Sequence, residues 1–235
     1  MDAPGWLSRH HAEVPAGCEW LGPKELRVCS GLRTELRRAS WRLGRWTAKA
    51  AIGAVHGLAP AEVQVIAAAD GAPEAWVGDR RLPLSLTLSH RAGFAVAGIS
   101  EVPGAVGCDL ELVEPRSGAF VREWLSPSEQ RLVAGQPQDA QALVVNLIWS
   151  AKEAAAKVRR EGLRLDLRRA EVTAEGLEAE IGGWRPLAVY WEDSRGLTRG
   201  WWRTIDEWVL VIAAEPTPAI PRELVRSEPT IWRTT

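Results

Sequence analysis

One short stretch occurs in both halves of the chain. Trp46-Thr47-Ala48-Lys49-Ala50-Ala51 and Trp149-Ser150-Ala151-Lys152-Glu153-Ala154 share the order Trp, hydroxyl, Ala, Lys, and differ where Ala50 stands against Glu153. An apolar strand pattern follows each copy, Phe94-Ala95-Val96-Ala97-Gly98-Ile99 after the first and Trp208-Val209-Leu210-Val211-Ile212-Ala213 after the second. Helix and strand recurring in one order predict an α+β protein of two similar halves. With 235 residues and 46% hydrophobic content, the chain can bury a core as one large domain or two small halves. The halves are expected at 1–113 and 114–235. A tail from about residue 215, carrying Pro216, Pro218 and Pro221, is expected to be extended or disordered.

Local signals fill in the elements. Residues 1–24, rich in Gly, Pro and His, read as a loosely held lead-in in which His10 and His11 are surface residues. A helix is predicted over 31–55, then strands over 63–69 and 75–77 about the Gly71-Ala72-Pro73 turn. Strands follow over 84–88, 94–99 and 106–112. Ser126-Pro127-Ser128-Glu129 is a capping box with Pro at the first helical position, so a helix starts there. The next helix, over 139–160, contains the second Trp-hydroxyl-Ala-Lys copy and is expected to end against Gly162. Leu163, Leu165 and Leu167 alternate with Arg164, Asp166 and Arg168, the pattern of a half-buried strand.

Residue chemistry concentrates in two of these elements. In the strand Val106-Gly107-Cys108-Asp109-Leu110-Glu111, a period of two puts Asp109 and Glu111 on one face. In the helix Trp149-Ser150-Ala151-Lys152-Glu153-Ala154-Ala155-Ala156-Lys157, Glu153 and Lys157 share a face at i, i+4. That pair alone could be a routine helix ion pair, and Asp-x-Glu alone a solvated strand face. Brought together, three carboxylates and two lysines would make a hard-cation site beside anchors for a phosphate. Only four of the 29 basic residues are lysine, and three of them (Lys49, Lys152, Lys157) lie in these motifs.

The paired motifs, Val-Gly-Cys-Asp-Leu-Glu and then Trp-Ser-x-Lys-Glu-Ala-x-x-Lys, resemble the signature of the 4′-phosphopantetheinyl transferases. The similarity is to the larger single-chain class that serves nonribosomal peptide and polyketide synthases. Ser85-Leu86-Thr87-Leu88-Ser89-His90 resembles a third family element, and weaker similarity reaches Gly44–Lys49 and Trp124–Glu129. The resemblance implies two pseudo-twofold-related α+β subdomains with the active site between them. It implies Mg²⁺ on Asp109, Glu111 and Glu153, with Glu153, Lys157 and His90 as catalytic residues. Coenzyme A is the implied substrate, held by Arg45, Lys49, Ser89, His90, Arg91, Lys152 and Lys157. Of these, Lys152 is turned ~100° around the helix from Glu153 and ranks below Lys157. The implied reaction moves the phosphopantetheine arm to a serine of an apo carrier domain of a peptide, polyketide or fatty-acid synthase.

Composition removes other classes. A net charge of −1 lacks the basic footprint of a nucleic-acid binder. No apolar run approaches a membrane span and no leader pattern is present, so the expected location is the cytoplasm. Cys18, Cys29 and Cys108 have no metal-ligand spacing, and Cys108 reads as a core residue. Two halves in one chain could form the whole site as a monomer. Arg159, Arg160, Arg164, Arg168 and Arg169 form a basic run, either a solvated face or a docking surface for an acidic carrier. The rival readings are a metal-dependent nuclease, a coenzyme A-dependent acyltransferase, and a degenerate homologue that binds coenzyme A or a carrier without transfer. The chain lacks the Glu-x-Lys strand of the first and the Gly-rich loop of the second.

Overall fold

The computed structural model describes residues 3–102, 104–161, 165–173, 180–192 and 196–224. Two long helices, α2 (Glu35–His56) and α5 (Gln138–Arg159), each cover one main sheet. The first sheet has the order β12-β1-β6-β5, with β1 at Gly5–His10, β5 at Ser85–Arg91, β6 at Phe94–Ser100 and β12 at Arg222–Glu223. The second runs β7-β11-β10-β9-β8, with β7 at Ala105–Leu112, β8 at Ala170–Thr173, β9 at Arg185–Trp191, β10 at Leu197–Ile205 and β11 at Trp208–Glu215. A small third sheet joins β2 (Gln64–Ala67), β3 (Pro73–Val77) and β4 (Arg80–Arg81). The architecture is α+β, as the paired motifs imply.

Alternation along the central strands explains the layering. On β11, Val209, Val211 and Ala213 pack with α5, while Trp208, Leu210 and Ile212 turn to the opposite face. That opposite face meets Trp6 of β1 and Phe94 and Val96 of β6, so the two sheets share an apolar interior. On β6, Ala97 and Ile99 turn to Ala48, Ala51 and Ile52 of α2. Both central strands are buried on both faces, which is why they read as unbroken apolar runs.

The order β1-α2-β5-β6 in the first half recurs as β7-α5-β10-β11 in the second, with the same strand neighbours. The sequence echo therefore marks a repeat of the whole unit. Hydrogen bonding also places β7 in the second sheet, paired antiparallel with β11 along its length. Sheet membership thus changes between β6 and β7, ahead of the boundary expected after 113.

Three further expectations are corrected. The segment before residue 24 is no loose lead-in: β1 is an interior strand, with Trp6 and Leu7 buried. Its alternation is short and flanked by Gly and Pro, which masks it in the sequence. The tail after 215 is held as far as Leu224: β12 pairs in parallel with β1, and Leu224 enters the first core. Leu167 is buried in a 3-10 turn (Leu167–Arg169) whose amide is capped by Asp166, rather than in a strand; Leu163 and Arg164 lie outside the described residues. A short helix α1 (Pro23–Gly31) precedes α2, and α3 (Gly118–Trp124) and α4 (Pro127–Ala134) precede α5. The capping box at Ser126–Glu129 is present as read: Ser126 Oγ accepts from Glu129 N at 3.2 Å and Glu129 Oε2 from Ser126 N at 2.7 Å.

Candidate active site

Two close approaches bring the acids and the lysine together. A Cβ on Gly107 would lie 2.0 Å from the Ala154 carbonyl, so only glycine lets α5 lie directly on β7. This seats Lys157 over the strand, where its Nζ donates to Cys108 O at 2.8 Å and to Asp109 Oδ1 at 2.9 Å. From the other side, alternate hydroxyls of β5 reach β7. Ser85 Oγ and Thr87 Oγ1 accept from Val106 N and Cys108 N, both at 3.1 Å, and Ser89 Oγ donates to Asp109 Oδ1 at 2.8 Å. The Ser-x-Thr-x-Ser pattern is thus a row of hydroxyls that docks one half on the other.

These contacts converge beside a cleft of about 1030 Å³. Trp41, Gly44 and Arg45 of α2 line one wall, β5 from Ser85 to His90 another, and Trp149, Glu153, Lys157 and Arg160 of α5 a third. Arg45 stacks its guanidinium 4.8 Å from the Trp41 ring, and its buried Nε has no hydrogen bond. Such an orphaned donor in a cleft wall suits an anionic ligand.

The electrostatics are strained in one direction. Burial, then the neighbouring Asp109, raises the pKa of Glu153 above the usual carboxylate value. Glu111 is raised by the same two causes, against the pull of Arg116. Burial works against the charged form of Lys157, but Asp109, Cys108 and Glu153 together outweigh it and the pKa rises. Burial and then the Lys157 charge lower the pKa of His90, on the cleft rim. The carboxylates repel one another and want more positive charge than the chain supplies.

Among the described residues, no three His, Cys, Asp or Glu side chains are gathered to hold a metal ion. Glu111 is the one that departs: its Oε2 accepts from Arg116 Nη2 at 2.7 Å and its Oε1 from Trp149 Nε1 at 3.1 Å. Arg116 is fixed in turn by Asn146 Oδ1 at 2.7 Å. Asp109 and Glu153 fit a hard cation better. Asp109 Oδ2 is buried with no hydrogen bond, a free carboxylate oxygen beside a second acid.

Three expected coenzyme A contacts are placed elsewhere. Lys49 and Lys152 are fully buried, with their ammonium groups on Glu25 (2.6 Å) and Glu129 (2.7 Å). Neither can reach a ligand in the cleft. Arg91 points away from His90, as strand alternation requires, and pairs with Glu114 and, at 3.5 Å, Glu111. Ser89 does line the cleft, with its hydroxyl donating to Asp109. Arg45, His90, Glu153 and Lys157 do line the cleft.

Some residues escaped the sequence reading. Arg160, rather than Gly162, caps α5, in the left-handed region at φ 55°. Its side chain crosses to the first half and holds Asp70 through two bonds, Nε–Oδ2 at 2.9 Å and Nη2–Oδ1 at 3.3 Å. The rest of the described arginine run is also engaged: Arg159 on the Trp191 ring, Arg168 with Asp166, Arg169 with Glu192. Its positive charge is largely neutralised within the chain, which favours the solvated-face reading over docking.

Residues 105–201, spanning β7 to β10 with Asp109, Glu111, Glu153 and Lys157, match the sequence model of the 4′-phosphopantetheinyl transferase superfamily. The chain is similar to that superfamily through this segment. Among curated relatives, the 4′-phosphopantetheinyl transferase psf-1 of Bacillus pumilus is 29% identical over 89 residues, 37% of this chain and 37% of that protein. The 4′-phosphopantetheinyl transferase AcpT of Salmonella typhi is 29% identical over 126 residues, 53% of this chain and 60% of its own, as is AcpT of Salmonella typhimurium. The chain thus spans between 37% and 60% of the length of these relatives. The matched segment holds all three acids, whereas Arg45 and Trp41 lie before it.

Proposed function

We propose that the protein transfers the 4′-phosphopantetheine arm of coenzyme A to a serine hydroxyl of an apo carrier protein, releasing adenosine 3′,5′-bisphosphate. The observation that carries this reading is Glu153 standing beside Asp109 and Lys157, in a cleft that begins at Arg45, whose buried Nε has no hydrogen bond. The match of residues 105–201 to the superfamily supports the same chemistry.

The serine oxygen forms a new bond to the β-phosphorus, and the bond to the bridging pyrophosphate oxygen breaks. The serine proton goes to Glu153, the carboxylate that α5 presents to the cleft. Lys157 stays charged and donates toward the non-bridging oxygens, where negative charge must be stabilised. His90, on the rim, is a second donor. Arg45 with Trp41 holds the far, anionic end of coenzyme A, which fixes the pyrophosphate near Glu153. Asp109 and Glu153 would hold Mg²⁺, which when bound neutralises charge on the pyrophosphate. Glu111 would join them only by leaving Arg116.

We place the protein in the cytoplasm, where coenzyme A and synthases occur together. Both cleft walls come from one chain, which supports a monomer. No helix among the described residues is long and apolar enough to cross a membrane. The test is direct: purified protein, coenzyme A, Mg²⁺ and apo carriers of the peptidyl, polyketide and fatty-acid types are mixed in competition, and each carrier is weighed. Gain of one phosphopantetheine on a carrier supports the reading and ranks the partners. Coenzyme A binding with no gain on any carrier identifies a binding homologue instead.

A further inference from the structure

The two buried lysines have matching surroundings. Lys49 Nζ bonds to Glu25 Oε2 at 2.6 Å and to Trp20 O at 2.6 Å. Lys152 Nζ bonds to Glu129 Oε2 at 2.7 Å and to Trp124 O at 2.9 Å. Glu25 also accepts from Gly22 N (2.9 Å) and Val65 N (2.9 Å), and Glu129 from Ser126 N (2.7 Å) and Val172 N (2.8 Å). Each clamp thus ties a long helix to a tryptophan carbonyl, the start of a short helix and a β-strand. All four charged side chains are 0–1% exposed. Burying such a pair carries a desolvation cost that the attraction alone often fails to offset, so stability is a weak reason to keep it twice.

What the clamps hold is the cleft. The Trp20 ring, gripped through its carbonyl by Lys49, packs edge-on to Trp46 at 5.2 Å and shares a cluster with Trp41. Trp41 is the surface on which Arg45 stacks. In the other half the Trp124 ring meets Trp149 at 5.4 Å, and Trp149 Nε1 donates to Glu111. Both of these tryptophans line the cleft, and Glu153 is the residue after Lys152. One clamp backs the wall with Arg45, and the other backs the wall with the acids.

We infer that Lys49 and Lys152 are positioning residues, Lys49 setting the wall that binds coenzyme A and Lys152 the wall that performs the transfer. This rests on the transfer reading for the kinetic part only. A clamp is removed with its charges balanced by the pairs Lys49→Met with Glu25→Gln and Lys152→Met with Glu129→Gln. Neutralising both partners avoids the unpaired buried charge that would unfold a single variant.

In the full chain, the first pair should weaken coenzyme A binding by about 10-fold in calorimetry and raise its KM to match, with kcat within about twofold. The second pair should lower kcat by about 10- to 100-fold with coenzyme A affinity nearly unchanged. Two clamps that serve only stability would lower the melting temperature without this split. Equal loss of kcat and KM in both pairs, or wild-type behaviour in both, overturns the inference. Should a pair fail to fold, Glu25→Asp and Glu129→Asp keep each lysine paired and shorten the clamp by one methylene. Faster amide exchange at 118–126 in Glu129→Asp, and around 17–22 in Glu25→Asp, is then expected; unchanged exchange overturns the inference. Calorimetry and exchange read out even if no carrier is modified, so failure of the transfer reading is seen separately.

Discussion

The two halves repeat one plan and depart from it at two places. In the second half the sheet runs on without a break from β10 to β9 and β8. In the first, the corresponding small strands form their own sheet, and no ladder joins β3 to β5 among the described residues. The cleft lies along β5, at that break. The other departure is chemical: Ala50 and Ala54 of α2 stand where α5 has Glu153 and Lys157. The helices also present different turns to the cleft, α2 its early turns with Trp41 and Arg45, α5 its later ones from Trp149 to Arg160. On the proposed reading, a duplicated scaffold gives a binding wall from one copy and a reacting wall from the other.

The sharpest way to break this division is Glu153→Gln. It should lower transfer by about 10²- to 10⁴-fold while coenzyme A binding persists, as expected for loss of a general base. Binding is read by calorimetry and transfer by carrier mass. The reverse change, Ala50→Glu, should add no activity, because that turn of α2 does not face the cleft. Transfer surviving in Glu153→Gln would move the proton acceptor elsewhere.

A second contrast uses glycines. Gly107→Ala would drive a methyl into the Ala154 carbonyl and lift α5 from β7. Overpacking of this kind costs about 1–3 kcal/mol, and activity should fall as well because Lys157 loses Asp109. Gly44→Ala in α2 meets nothing within 4 Å and should stabilise by about 0.5–1 kcal/mol. Thermal melts of the two variants should therefore move in opposite directions.

These contrasts show what the sequence could and could not reveal. The capping box at Ser126–Glu129 was legible because its bonds are local. That the same Glu129 would meet Lys152 was not, since nothing local fixes which residues a helix face meets. Lys152 and Glu153 are adjacent, so a helix turns them ~100° apart, and one faces inward when the other faces the cleft. The motif identified both residues but not their directions. Asp109 and Glu111 were read on one strand face, and Arg116 and Trp149 then drew Glu111 aside, a tertiary event with no sequence mark. Arg160 as a left-handed helix cap contradicts the preference for glycine, and its reason lies ninety residues away at Asp70.

That last pair gives the smallest expected effect. Arg160 and Asp70 join α5 to the first half at the cleft, and both are partly exposed. Exposed pairs are worth about 0.2–1 kcal/mol and weaken with salt. The Arg160 hydrogen bond holds the Asp70 pKa below its ordinary value. A depressed carboxylate stabilises the fold above its unfolded pKa, and that contribution is lost as pH falls through the lower folded value. Asp70→Asn should therefore cost little at pH 7, and the difference from wild type should vanish in acid, below the ordinary aspartate range. Denaturation at pH 7 and below pH 3, at low and high salt, reads this directly. Because Arg160 would be released toward the cleft, coenzyme A affinity should hold or rise in Asp70→Asn. A fall in affinity would mean that the bridge keeps the two walls at their working distance, and that the halves act together rather than as separate walls.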